Sequence, residues 1–148
     1  MMIVTMMDER DVDAALRFES TGIGSDQLGV TSDEARVHPR CYGTFARVLG
    51  RYVRERSVLS LESAIHRMSG LPAEVLGLRD RGRIGVGDIA DLVLFDPATI
   101  IDAATYELPT RLARGIETVL LGGRFGVDRG QIVARNLGRV IRRPQSAG

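Results

Sequence analysis

"TGIGSDQLGVTSDEARVHPRCYGTF", residues 21–45, is the stretch on which the fold turns. An apolar approach through Ile23 and Gly24 stops on Ser25-Asp26. A polar loop, "QLGVTSDEARVHPR" (27–40), then delivers His38, Pro39 and Arg40 to the start of an amphipathic run. Upstream, "MMIVTMM" (1–7) reads as a buried strand, being apolar without Gly or Pro. "DERDVDAALRF" (8–18) reads as a helix, with Asp8 as N-cap, Glu9 and Asp11 at its positive end, and Val12, Ala15 and Leu16 on one face. "STGIGSD" (20–26) is a second, weaker strand. Strand, helix, strand and helix in succession describe the βα units of a parallel α/β fold. In such folds polar residues at the C-terminal ends of strands face the site of chemistry, which is the physical reason to single out Asp26.

Downstream of the loop, "YGTFARVLGRYVRER" (42–56) is the clearest helix. Phe45, Val48, Leu49, Tyr52 and Val53 form its apolar stripe, and Arg47, Arg51, Arg54 and Arg56 lie mostly off it. "SLESAIHRMSG" (60–70) follows as a helix capped by Ser60, with Leu61, Ala64, Ile65 and Met68 inward and Gly70 closing it. "LPAEVLGL" (71–78) is a short helix with Pro72 in its first turn and Gly77 at its end. After residue 80 the texture turns to glycine-punctuated β-sequence. Leu92–Phe95 is a strand, two more flank Gly122-Gly123, and a further turn falls at Arg129-Gly130. "RRPQSAG" (142–148) reads as a flexible tail.

Composition narrows the function classes. The 148 residues are enough for an ordinary core, and 44% hydrophobic with 26% charged is the range of globular proteins. A net charge of +1 offers no general attraction to nucleic acid or anionic membrane. All 20 basic residues are Arg, so no Schiff-base or carboxylated lysine is available. Cys41 is the one cysteine, which excludes an internal disulfide. The start lacks the basic leader of a signal peptide and no run reaches membrane-spanning length, so a cytoplasmic protein is expected.

Several strings together resemble one family. "IGSD" (23–26), "HPRCYGTFARVLGRYVRE" (38–55) and "LSLESAIHRMSGLPAEVLGLRDRG" (59–82) are similar to the C-terminal region of the N-acyl-D-amino-acid deacylases of the amidohydrolase superfamily. "GRIGVGDIADLVLFDPATI" (82–100), "GIETVLLGGRFGVDRG" (115–130) and "GRVIRR" (138–143) extend the likeness over nearly the whole chain. The "HPR.YGTF" pattern belongs to the deacylase branch; the "IADLVLFD" pattern is shared across the superfamily.

The resemblance implies a metal-dependent (β/α)8 barrel with a small β-sandwich. It places residues 1–80 as the last β/α units of the barrel and 81–141 as the C-terminal share of the sandwich. A full barrel takes roughly 250 residues, so an incomplete barrel and an inactive isolated chain are expected. The implied chemistry is hydrolysis of the amide bond of N-acyl-D-amino acids by metal-activated water, with zinc as cofactor. Asp26 matches the carboxylate that moves the proton from water to the leaving amine and that ligates a weak second metal in some members. Arg40 matches the residue that grips the substrate's α-carboxylate, a task suited to a planar guanidinium. His38 is a lesser substrate-binding candidate. The family usually has Gly where this chain has Gln27, which bears on substrate preference. The main zinc ligands of the family have no counterpart in this chain, whose only histidines are His38 and His66.

Plainer readings stand beside these. An isolated Asp26 is a turn or cap residue, Arg40 a surface ion-pair partner and His38 a loop brace. Cys41 is a small buried side chain without a His–Asp partner set, and His66 is structural or solvated. The arginine-rich helix face is solvated or packed on missing barrel helices. Two alternatives to a deacylase fragment remain: a non-catalytic remnant acting by association with itself or a companion N-terminal chain, and part of a cyclic-amide hydrolase of the dihydroorotase or hydantoinase kind.

Overall fold

A computed structural model describes residues 8–27 and 37–141. The expected first strand, most of the polar loop and the tail lie outside the described residues. Four α-helices come first: α1 (Glu9–Arg17), α2 (Arg40–Arg47), α3 (Leu61–Ile65) and α4 (Leu71–Leu76). Four strands follow: β1 (Leu92–Phe95), β2 (Ile116–Leu121), β3 (Arg124–Asp128) and β4 (Gln131–Ile132), paired in chain order and antiparallel throughout.

Local chemistry accounts for most element ends. Asp8 accepts the Arg10 amide at 2.8 Å and Ser60 accepts the Ser63 amide at 3.1 Å, so each satisfies an orphan N–H of a first turn. α2 runs on into a π-helical stretch, Val48–Glu55, and α3 into another, His66–Gly70, which passes directly into α4. Gly70 therefore does not close a helix. Its φ is −60°, and the left-handed stop falls at Gly77, with φ of +69°. Pro72 is the second residue of α4, inside this continuous run, and the Arg67 carbonyl five residues before it accepts the Ile23 amide at 3.0 Å instead. The Gly122-Gly123 and Arg129-Gly130 turns both carry positive φ at both positions, as the type I′ form of the two-residue hairpin requires.

"STGIGSD" forms no strand. Residues 21–27 run as irregular backbone whose Ile23 amide donates to the Arg67 carbonyl at 3.0 Å. A strand exists only through pairing, and among the described residues no ladder partner lies beside it.

The core is a cluster of Leu16, Ala46, Val48, Leu49, Tyr52, Val58, Ala64 and Ile100. Val48, Leu49 and Tyr52 are buried as their spacing predicts, but Phe45 is largely exposed because Gly43 and Ala46 face inward in its place. Ile100, from the β1–β2 connection, inserts among the helices. Gly50 permits that approach: a Cβ there would lie 2.5 Å from the Ile100 carbonyl oxygen.

The arginines of the long helix are not simply solvated. Arg47 pairs with Asp102 at 3.2 Å, and Arg56 with Glu9 at 2.8 Å and Asp13 at 2.6 Å. Arg54 donates to the Ile100 carbonyl at 2.5 Å. These contacts tie the helix to α1 on one side and to the β1–β2 connection on the other.

Candidate functional site

Asp26 lies in the irregular segment 21–27 and holds φ at +50°, a left-handed conformation that Asp tolerates better than most residues. Arg40 is the first residue of α2. Their side chains meet: Arg40 Nη1 lies 3.0 Å from Asp26 Oδ2. The pair is open to solvent, with the Asp26 side chain 87% exposed and that of Arg40 43% exposed. Pairing there is worth about 0–1 kcal/mol, so a carboxylate arriving from solution can compete for the guanidinium.

His38 stands two residues before Arg40, and its Nδ1 accepts the Arg40 amide at 3.1 Å. Its pKa is lowered, first by burial and then by the Arg40 charge, which favours the neutral ring. Tyr106 meets that ring edge-on, with centroids 5.3 Å apart and planes at 82°. His38, Arg40, Arg47, Asp102 and Tyr106 line part of a groove of about 360 Å3. Cys41 is a free, half-buried thiol beside Arg40. His66 is exposed on the helical run.

Arg67 gave no signal as a site residue, yet it is a principal support of the segment leading to Asp26. It is 3% exposed. Its guanidinium donates to the Leu16 and Ala15 carbonyls at the end of α1, to the Thr21 carbonyl at 2.6 Å, and to Thr21 Oγ1. No carboxylate is among those partners; carbonyls, including those at the negative end of α1, take its place. Its burial, as distinct from a site role, has one clue in the sequence: it falls three residues after the inward Ala64, on the same helix face. Tyr106 gave none, because a contact across 68 residues leaves no local pattern.

A zinc site needs three or four converging His, Cys, Asp or Glu side chains. Among the described residues no group of three or more comes together. Asp26 faces a cation of the protein itself, so the described residues do not fit zinc on their own.

Residues 20–127 match the amidohydrolase family. The chain belongs to that family. It is 47% identical over 141 residues to a D-aminoacylase of Alcaligenes xylosoxydans xylosoxydans, a match covering 95% of this chain and 28% of the relative. A crystal structure of D-aminoacylase superposes with a TM-score of 0.85 at 47% identity, covering 93% of this chain and 28% of that one. The N-acyl-D-glutamate deacylase of Bordetella bronchiseptica, solved with zinc and a phosphonate mimic of the tetrahedral intermediate, gives 0.75 at 45% identity, covering 81% and 25%. The chain thus spans just over a quarter of the length of the relatives it matches. No described helix is long and apolar enough to cross a membrane.

Proposed function

We propose that this chain supplies part of the site of a hydrolase that cleaves the amide bond of N-acyl-D-amino acids. Asp26 is the proton-transfer carboxylate and Arg40 the anchor for the α-carboxylate. The observation that carries this reading is the 3.0 Å approach of Arg40 to Asp26. In the substrate, one α-carbon is bonded to both the scissile nitrogen and the carboxylate carbon. A group that protonates the nitrogen and a group that grips the carboxylate must therefore stand side by side, as these two do. The names of the relatives, a D-aminoacylase and an N-acyl-D-glutamate deacylase, supply the reaction class.

In the proposed reaction Asp26 takes a proton from the attacking water and returns one to the departing nitrogen, so the amine leaves neutral. Arg40 holds the α-carboxylate through two parallel N–H donors. On this reading residues 1–80 are the last β/α units of a (β/α)8 barrel, 81–141 a share of a β-sandwich and 142–148 a flexible tail. Zinc, the metal bound in one deacylase relative, would take its main ligands from a companion segment, with Asp26 at most a ligand of a weak second metal, and the site acts in the cytoplasm.

The test is reconstitution. The purified chain alone should show no turnover of N-acyl-D-amino acids, and mixing with a companion carrying the remaining family segments should restore it. In the restored enzyme, Asp26→Asn should lower kcat by about 10²–10⁴. Arg40→Ala should raise KM by about ten- to a hundredfold for substrates bearing the carboxylate and little for those without it. Turnover by the isolated chain, or normal rates with Asp26→Asn, would overturn the reading. A panel including dihydroorotate and hydantoins separates it from a cyclic-amide hydrolase.

A further inference from the structure

α2 starts without a side-chain cap, because Pro39 precedes it and offers no acceptor. The amide of Arg40 would then be one of the unpaired N–H groups of a first turn. His38 Nδ1 accepts it at 3.1 Å. A ring nitrogen that accepts carries no proton, so the neutral imidazole bears its proton on Nε2. Nε2 faces Tyr106 Oη at 3.5 Å, the outer limit of a hydrogen bond, and the two rings pack edge to face. Tyr106 comes from the β1–β2 connection, which is itself held to α2 by the Arg47–Asp102 pair. The chain of contacts therefore runs from the β1–β2 connection through Tyr106 and His38 to the backbone of Arg40, and from there to the guanidinium at Asp26.

We propose that His38 and Tyr106 are positioning residues for Arg40: the tyrosine fixes the plane of the imidazole, and the imidazole fixes the helix start from which the guanidinium projects. The proposal rests on the reading of Arg40 as a carboxylate anchor. It assigns His38 no direct contact with substrate, since its Nδ1 is taken up by the Arg40 amide and its Nε2 edge faces the Tyr106 side chain. It also gives Tyr106, an exposed residue far along the chain, a bearing on affinity that its own chemistry would not suggest.

The experiment is an NMR titration of the full chain with N-acetyl-D-alanine, followed at the Arg40 amide and side chain, with amide exchange measured on the same samples. Removing the acceptor in His38→Ala should speed exchange of the Arg40 amide and weaken binding about three- to tenfold, the range of a lost helix cap. His38→Asn, whose Oδ1 can reach the same amide, should restore both to within about twofold. Tyr106→Ala should loosen binding in the same direction, and Tyr106→Phe, which keeps the ring contact, should not.

Unchanged Arg40 exchange in His38→Ala would overturn the proposal, as would failure of a folded His38→Asn to rescue. If the unmodified chain shows no response to the ligand at Arg40, the titration is repeated with the companion segments present, and no response there overturns the anchor reading. Amide exchange still decides whether His38 and Tyr106 hold the helix start.

Discussion

Asp26 and Arg67 show how differently two charged residues can be held. Asp26 is exposed, left-handed in φ and paired with one guanidinium, so its replacement by Asn should leave the fold intact and any lost activity chemical. Arg67 is buried among carbonyl oxygens at the end of α1 and at Thr21. Arg67→Met should cost about 2–4 kcal/mol, because it strands several buried acceptors at once; urea unfolding with an unchanged m-value would measure it. His38 gives a pH dependence of definite sign. Its folded pKa is lowered, so the folded state prefers the neutral ring. The stabilisation is present in full above the ordinary value of 6.5 and is lost as pH falls through the lowered folded pKa. Thermal melts between about pH 5 and 8 should show this decline in the parent chain, and its loss in His38→Asn.

At the level of elements, the helix caps follow local rules, but Ala15 and Ile65 are exposed although read as inward and Gly70 ends no helix; two further departures are each set by a distant partner. Asp8, Ser60 and Gly77 act as the cap chemistry predicts, and both hairpin turns fall where glycine was read as a turn. Phe45 is exposed although it sits on the apolar stripe, because α2 turns its Gly43 and Ala46 inward. Gly50 is the second case. It reads as a weak point of a helix, yet it is the gap through which Ile100 and Ile101 approach. Gly50→Ala improves helix propensity by up to about 1 kcal/mol but drives a Cβ into the Ile100 carbonyl. The net effect should be destabilising by about 1–3 kcal/mol, seen as a lower melting temperature. A stabilised variant would mean that the β1–β2 connection is not seated against the helix.

At the scale of the molecule, the buried apolar set among the described residues is small and the exposed one is large. Val93, Leu94, Phe125 and Ile132 on the sheet are each more than 45% exposed, as are Ile84 and Val86 ahead of it. Apolar side chains in this number favour association, and β1 and β4, the edge strands of the sheet among the described residues, offer unpaired backbone groups there. Size-exclusion chromatography with light scattering should find the chain in species larger than its 16.2 kDa. A sharp monomer peak would contradict this.

The sequence by itself determined what depends on near neighbours and on shared patterns. Helix starts, hairpin turns, the amidohydrolase likeness and the candidacy of Asp26 and Arg40 were all legible there. Periodicity and cap chemistry act within a few residues, and motif strings need no coordinates. Only the tertiary structure decided that Asp26 and Arg40 touch, that Arg67 is buried among backbone carbonyls, that residues 21–27 form no strand and that Tyr106 reaches His38. Those facts depend on which surfaces the folded backbone brings together. Burial, ladder pairing and contacts between residues far apart in the chain have no period for a sequence to display.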